Sequence, residues 1–294
     1  MIRYPYDATE VEKAIARLDR RWKAKAAERT EKLIKKARYA ERSAIWSTVK
    51  PVFMKLQHEK CIFCEQRFEG GLYGPVAWDL EHFRPKSNVA IWPDPGRHPE
   101  LAYEVDLGQA SDAGYYWLAY ELQNYAASCK VCNTIFKLNF FPVTQPRAQA
   151  TATADLLAAE EALLCYPLGD TDEDPEDLVT FILTTAVPRH NSGAKALRGQ
   201  VIIDFLGLNK RDGIHVIRAQ MIAAAGNLLA ERDRGGASQA VLDGIEELKE
   251  ANVPHASCVR AFLGLWDSDR ATATRGYELC RFFGFDPTKA PPSL

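Results

Sequence analysis

The 294-residue chain lacks any run of about 18 apolar residues, the length a helix needs to cross a bilayer, so no membrane span is expected. Its first residues, MIRYPYDATEVEK, lack an apolar signal core, which points to the cytosol. Disulfides rarely persist there, so the seven cysteines do not read as a disulfide scaffold. No internal repeat or low-complexity tract is present, which sets aside solenoids and compositional disorder. Basic residues are missing from one stretch: residues 151–180 hold nine Asp/Glu and no Lys/Arg. The opposite bias occupies residues 1–60, with 16 Lys/Arg against 8 Asp/Glu. A net charge of −2 therefore hides two poles.

The basic pole includes Arg20, Arg21, Lys23, Lys25, Lys32, Lys35, Lys36 and Arg38. A helix so charged can follow a phosphate backbone, or can be a solvated face paired with Glu28, Glu31 and Glu41. The acidic stretch reads as a solvated loop, or as a surface for a basic partner. Three regions are expected. Residues 1–56 form a basic helical region, with capping-box spacing from Thr9 to Glu12 and a boundary at Pro51. Residues 57–145 are rich in Gly, Pro, aromatics and Cys and hold short strand candidates, with a long loop over 88–112. Residues 146–294 return to helices. Leu197, Val201, Ile202, Phe205 and Leu206 share a face that stops at Gly207, Ile214 to Leu228 carry another stripe, and a third helix spans Ser238 to Glu250.

What the chain does have is two Cys-x-x-Cys pairs, Cys61/Cys64 and Cys129/Cys132. Four thiolates close a tetrahedral zinc shell, and a closed shell leaves no position for substrate. One structural zinc per chain is therefore expected. The remaining Cys165, Cys258 and Cys280 sit singly among apolar residues and read as buried core thiols. Sixty-four residues separate Cys64 from Cys129, far more than the roughly 15–20 of a simple double-knuckle finger. Something substantial is inserted between the knuckles. The insert carries Glu81-His82 and ends in WLAYELQN; Asn133 follows the last cysteine and Lys137 lies one helical turn on. His98, His190, His215 and His255 read as loop or surface histidines.

These residues resemble the HNH endonuclease family in its four-cysteine zinc form. Glu81-His82 matches the family's acidic-His motif, Asn124 its middle Asn, and Cys129, Cys132, Asn133 and Lys137 its last motif. The strings EHFRPKS, WLAYELQNYAASCKVCN, DPEDLVTF and FLGLNKRDGIHVIR narrow the resemblance. They are similar to the HNH proteins that accompany ATPases in Septu-type and retron-linked antiphage systems. The resemblance covers roughly residues 57–220. It implies a mainly α protein with a small α+β core: a ββα-metal (His-Me finger) nuclease core, stapled by the four-cysteine zinc site and flanked by helical regions.

The implied activity is metal-dependent hydrolysis of DNA phosphodiesters, in the cytoplasm, as the effector of an antiphage system with an ATPase partner. A neutral imidazole can take a proton from water near pH 7, so His82 is the expected general base. Glu81 and Asn133 offer oxygen ligands for a catalytic Mg²⁺ or Mn²⁺; Asp79, on the same strand face as Glu81, is a rival ligand. Glu and Asn stand where Asp and His are frequent in the wider family. By resemblance Asn124 orients the His82 loop, and Arg84, Lys86 and Lys137 hold phosphates. Two other readings stay open: a nuclease for tRNA or other RNA, and a non-catalytic zinc module binding nucleic acid or a partner protein.

Overall fold

The computed structural model describes residues 1–69 and 77–284. It is mainly helical, with two small two-stranded antiparallel sheets among the described residues. None of its helices is long and apolar enough to cross a membrane. The chain divides into two compact units that interleave along the sequence.

One unit comprises Pro5–Gln57 and Glu69–Asp172. It opens with α1 (Ala8–Leu18) and α2 (Trp22–Lys36). The cap of α1 is Asp7, whose carboxylate accepts from the amides of Thr9 and Glu10 at 2.8 and 3.1 Å. The capping box expected from Thr9 to Glu12 is therefore displaced, because an Asp two residues earlier offers the better acceptor. Trp22, Ala26 and Leu33 form the buried face of α2, and Ala37, in the left-handed region at φ 50°, ends it. Pro51 opens α3 (Lys50–Leu56) within its first turn, where a missing N–H costs nothing.

β1 (Trp78–His82) pairs antiparallel with β2 (Tyr125–Cys129), bringing Glu81 opposite Ala126 and His82 opposite Tyr125. A lone two-stranded ladder is marginal in water, so its surroundings must hold it. Gln57 does part of this. Fully buried, it clasps Ala127 with both ends of its amide, at 2.8 Å to the carbonyl and 2.7 Å from the N–H. The amide thus satisfies the outer edge of β2 where a third strand would otherwise sit. Phe53 packs edge-on to Tyr125 at 5.6 Å, and the Tyr166 hydroxyl donates to the Tyr125 carbonyl at 2.9 Å. Cys129 closes β2, and the chain turns at once into a single π-helical segment, Cys132–Lys137. Residues 88–112 form no helix or strand; an isolated bridge joins Val89 to Ser111 within the segment, and another ties Ala90 to Phe140. The short α4 (Ala154–Ala158) follows.

The other unit comprises Met1–Tyr4, His58–Phe68 and the chain from Glu173 onward. Asp174 caps α5 (Pro175–Leu178), which leads into the hairpin of β3 (Val179–Ile182) and β4 (Thr185–Pro188). Then come α6 (Gly193–Phe205), α7 (Asp212–Asp233), α8 (Gln239–Glu247), α9 (Ala256–Ser268) and α10 (Arg270–Phe283). Their core includes Ile222, Leu229, Phe262, Trp266 and Phe283. α7 and α10 approach closely because Gly226 has no side chain: a Cβ there would stand 2.2 Å from the Tyr277 ring. Two expected surface histidines prove buried. His215 bonds Thr184 and the Asn209 carbonyl at the hairpin turn, and His255 sits at the start of α9. Their burial comes from tertiary contacts, for which the flanking residues carry no signal.

Candidate active site and metal centre

The β1–β2 ladder decides where the candidate residues go. Successive strand residues point to opposite faces, so Asp79 and Glu81 share one face and His82 lies on the other. His82 is only 6% exposed. Its Nε2 lies 3.1 Å from the Ala119 carbonyl, which can only accept. Nε2 therefore carries the proton, and Nδ1 keeps its lone pair. Burial first, then the nearby Lys86 charge, hold the imidazole well below its usual pKa, outweighing the Ala119 bond. The ring is neutral at pH 7. Trp46 meets it edge-on at 4.8 Å and Tyr125 at 5.1 Å.

Glu81 is buried beside Lys137, whose ammonium lies 3.3 Å from Oε1 and is itself fully buried. That ammonium makes no well-shaped hydrogen bond, so the pair is held by charge. Burial raises the Glu81 pKa, and Lys137 and Lys86 oppose the rise. Burial lowers that of Lys137, and Glu81 opposes the fall. Each charge is tolerable only because of the other. Lys137→Met should thus cost about 3–5 kcal/mol by stranding the carboxylate, seen as a lower urea midpoint. The double variant Glu81→Leu/Lys137→Met should recover most of it; no recovery would mean that the pair is not the cause.

Asn133, on the π-helical segment, donates its amide to Asp79 at 3.3 Å. Asp79 also binds Lys130 at 2.5 Å and lies 3.5 Å from Lys50. Burial alone would raise the Asp79 pKa, but Lys130, Lys50 and Asn133 together hold it below the usual range. The β1–β2 ladder itself sets Glu81 and Asp79 beside the segment carrying Asn133 and Lys137, so this arrangement does not depend on zinc alone.

Asn124 is the last residue before β2, and its side chain is spent on the turn that follows His82. Its Oδ1 accepts from the Arg84 amide at 2.7 Å, and its Nδ2 donates to the carbonyls of Arg84 at 3.0 Å and Leu118 at 3.2 Å. Its own carbonyl takes the Phe83 amide at 2.8 Å, extending the ladder past His82. Asn124→Ala strands several of these groups at once and should cost about 1–3 kcal/mol in chemical denaturation. Asn124→Asp should cost nearly as much, because a carboxylate cannot donate to the two carbonyls.

The three expected phosphate contacts have different settings. Arg84 is turned inward. Its Nε lies 3.0 Å from the carboxylate of the fully buried Glu160, and its Nη2 donates to the Leu157 carbonyl at 2.9 Å. Glu160 also accepts from the Tyr115 hydroxyl at 2.6 Å and the Ala148 amide at 2.7 Å. It belongs to the acidic stretch expected to be a solvated loop, and here one member of that stretch is an internal anchor. Lys137 is committed to Glu81. Lys86 alone has no carboxylate within ion-pair distance among the described residues. Its ammonium lies 4.7 Å over Trp46 and 5.5 Å over Tyr39.

The four cysteines Cys61, Cys64, Cys129 and Cys132 are buried, unbridged and gathered, with all four sulfurs within 4.8 Å of one another. Tetrahedral zinc with Zn–S bonds of about 2.3 Å sets sulfurs roughly 3.8 Å apart. The first pair lies in a tight knuckle. The Glu65 amide donates to the Cys61 carbonyl at 3.0 Å, the Cys61 amide to Gln66 at 2.9 Å, and Glu65 takes a left-handed φ of 60°. In the second pair the Cys132 amide donates to the Cys129 sulfur at 3.4 Å. This group can hold a zinc ion. It is the one group of three or more His, Cys, Asp or Glu ligands with metal-site geometry among the described residues. Cys165, Cys258 and Cys280 are buried elsewhere, and burial pushes the thiols of Cys258 and Cys280 up to about 12.

Comparison with known proteins adds one relative. The chain is similar to the Septu protein PtuB of Bacillus mycoides. The two are 31% identical over 165 residues, which is 56% of this chain and 48% of PtuB. The chain thus spans about half the length of this curated relative. No family model matches the chain, and no solved structure does.

Sequence reasoning missed Trp46, Glu160 and the Ala119 carbonyl. Tryptophans and glutamates are too common to mark a site, and a backbone carbonyl leaves no trace in composition. Trp46 lies outside the cysteine-bounded insert, and only the fold brings it to His82.

Proposed function

We propose that this protein is a metal-dependent HNH endonuclease that hydrolyses DNA phosphodiesters, as the effector of an antiphage system with an ATPase partner. The observation carrying this reading is the chain order around one hairpin: Glu81-His82 on β1, Asn124 before β2, then Cys129, Cys132, Asn133 and Lys137 in the turn after it. Two strands and a helical turn in that order support a ββα nuclease core. The similarity to Septu protein PtuB supports the defence role.

The donors fit Mg²⁺ or Mn²⁺ by type: the Glu81 carboxylate and the Asn133 amide supply oxygen, and no thiolate joins them. Glu81 and Asn133 would hold the ion, with the Asp79 carboxylate 3.3 Å from the Asn133 amide. When bound, such an ion neutralises charge at phosphorus and acidifies water. His82 takes the proton at Nδ1, while Ala119 fixes the tautomer at Nε2. Asn124 locks the turn after His82, which keeps the ring's position independent of substrate. Lys86 offsets phosphate charge, while the buried Lys137 stays with Glu81. Arg84, tied to Glu160, acts on the shape of the loop more than on substrate.

The test incubates the protein with plasmid DNA and, separately, total tRNA, with Mg²⁺ or Mn²⁺, using His82→Ala as control. Metal-dependent nicking of plasmid, absent in the variant, is expected. Cleavage of tRNA alone would move the substrate to RNA. If neither is cut even with a co-purified ATPase present, the enzyme reading fails.

A further inference from the structure

The candidate base is sealed, and the seal has its own architecture. Residues 38–45, between α2 and the short helical turn Trp46–Val49, form no regular structure. Trp46 lies against His82, and Tyr39 of this segment packs on Trp46. Trp46 stands edge-on to the imidazole at 4.8 Å and packs on Tyr39 at 5.9 Å and Tyr120 at 5.7 Å. With Tyr125 on another side at 5.1 Å, His82 has no open approach for a phosphodiester.

Side chains, not a backbone ladder, tether the segment. Arg29 donates to the Ser43 carbonyl at 2.7 Å and lies 3.4 Å from Glu41. The Trp22 indole donates to the Ile45 carbonyl at 3.0 Å, and the Tyr120 hydroxyl donates to Glu41. On the site side, the grip is the Lys86 ammonium over Trp46 and Tyr39. An ammonium on aromatic faces is held more weakly than one bonded to phosphate. Nearby sit Lys35 and Lys36 in the last turn of α2, and Arg38 and Arg42 on the segment itself. All four are exposed, and none has an acidic partner among the described residues.

We propose that residues 38–49 are an aromatic strap that closes the His82 site, and that the phosphate backbone of double-stranded DNA releases it. The phosphates engage Lys35, Lys36, Arg38 and Arg42 and draw Lys86 off the Trp46 and Tyr39 rings. The proposal rests on reading His82 as the reacting base. It gives that base a resting state in which it cannot act.

Two measurements test it without relying on cleavage. The first is carbethoxylation of His82 by diethyl pyrocarbonate, followed by peptide mass spectrometry. Trp46→Ala and Arg29→Ala should each speed it by at least tenfold; rates equal to wild type in both variants would remove the strap. The second adds a 20-base-pair duplex in EDTA and follows amide hydrogen exchange over residues 38–49. Exchange should rise with DNA, and Arg38→Glu/Arg42→Glu should abolish the rise. Unchanged or slowed exchange at saturating duplex would overturn release by DNA. If both measurements respond as expected while plasmid is never cut, the strap stands and the nuclease reading falls.

Discussion

His82→Ala should slow plasmid cleavage by roughly 10²–10⁴-fold, the range contributed by a positioned general base. The loss should stop short of complete because, on the proposed reading, Lys86 still offsets phosphate charge. Two features of the site put the effect at the upper end. The imidazole is neutral because burial disfavours its cation, so nearly every molecule carries the base form at pH 7. The bond from Nε2 to Ala119 fixes the tautomer, so the lone pair always sits on Nδ1. The same burial means that the substitution also touches stability. It removes a donor from the Ala119 carbonyl and leaves a void under Trp46, a cost of about 1–3 kcal/mol. A domain stable by roughly 5–15 kcal/mol stays folded after that loss, so the fall in rate is chemical. His82→Asn separates the two effects. It keeps a donor for Ala119 and should lose as much activity with less stability. Wild-type rates in both variants would take His82 out of the mechanism.

Some of this site was legible in sequence because its chemistry leaves few alternatives. Two Cys-x-x-Cys pairs in one chain have little use apart from metal, and the fold gathers all four sulfurs across the 64-residue insert. The helices of residues 193–233 were legible because their apolar residues repeat at helical spacing and Gly207, at φ 55°, ends the first stripe. The interleaving of the two units was not. Segment His58–Phe68 clusters with the C-terminal helices, and no local property of eleven residues encodes so distant a partner. Gln57, Trp46 and Glu160 were silent for the same reason. Each is an ordinary residue whose role comes from what the fold sets beside it: a strand edge, an imidazole, an arginine. Charge was misleading in one place, since an acidic run suggests solvent while Glu160 is fully buried.

Zinc carries the other large effect. Purified protein should contain about one zinc per chain, and Cys129→Ala should abolish it, because three thiolates leave the shell open and weaken retention. Structural zinc contributes about 10–16 kcal/mol of apparent binding energy in small zinc-finger peptides. A chain of this length has cores of its own and need not unfold, but the region around the cysteines should loosen. Cys129 is the last residue of β2, opposite Trp78, and Cys132 begins the segment bearing Asn133 and Lys137. Losing zinc therefore frays the ladder at the end remote from His82, since Glu81 and His82 pair with Ala126 and Tyr125. Those inner pairs are also held by the Gln57 clasp on Ala127 and the Tyr166 bond to Tyr125. The expected pattern is graded. Hydrogen exchange should rise steeply from Cys129 through Lys137 and less at Tyr125 and Ala126, and the thermal midpoint should fall. Cys280→Ala should leave zinc content unchanged, because Cys280 lies in the core of the helical unit. A folded wild-type protein without zinc, after purification free of chelators, would defeat the metal assignment. Uniform unfolding of the Cys129 variant would instead mean that the Gln57 clasp and its neighbours cannot hold the ladder without the metal.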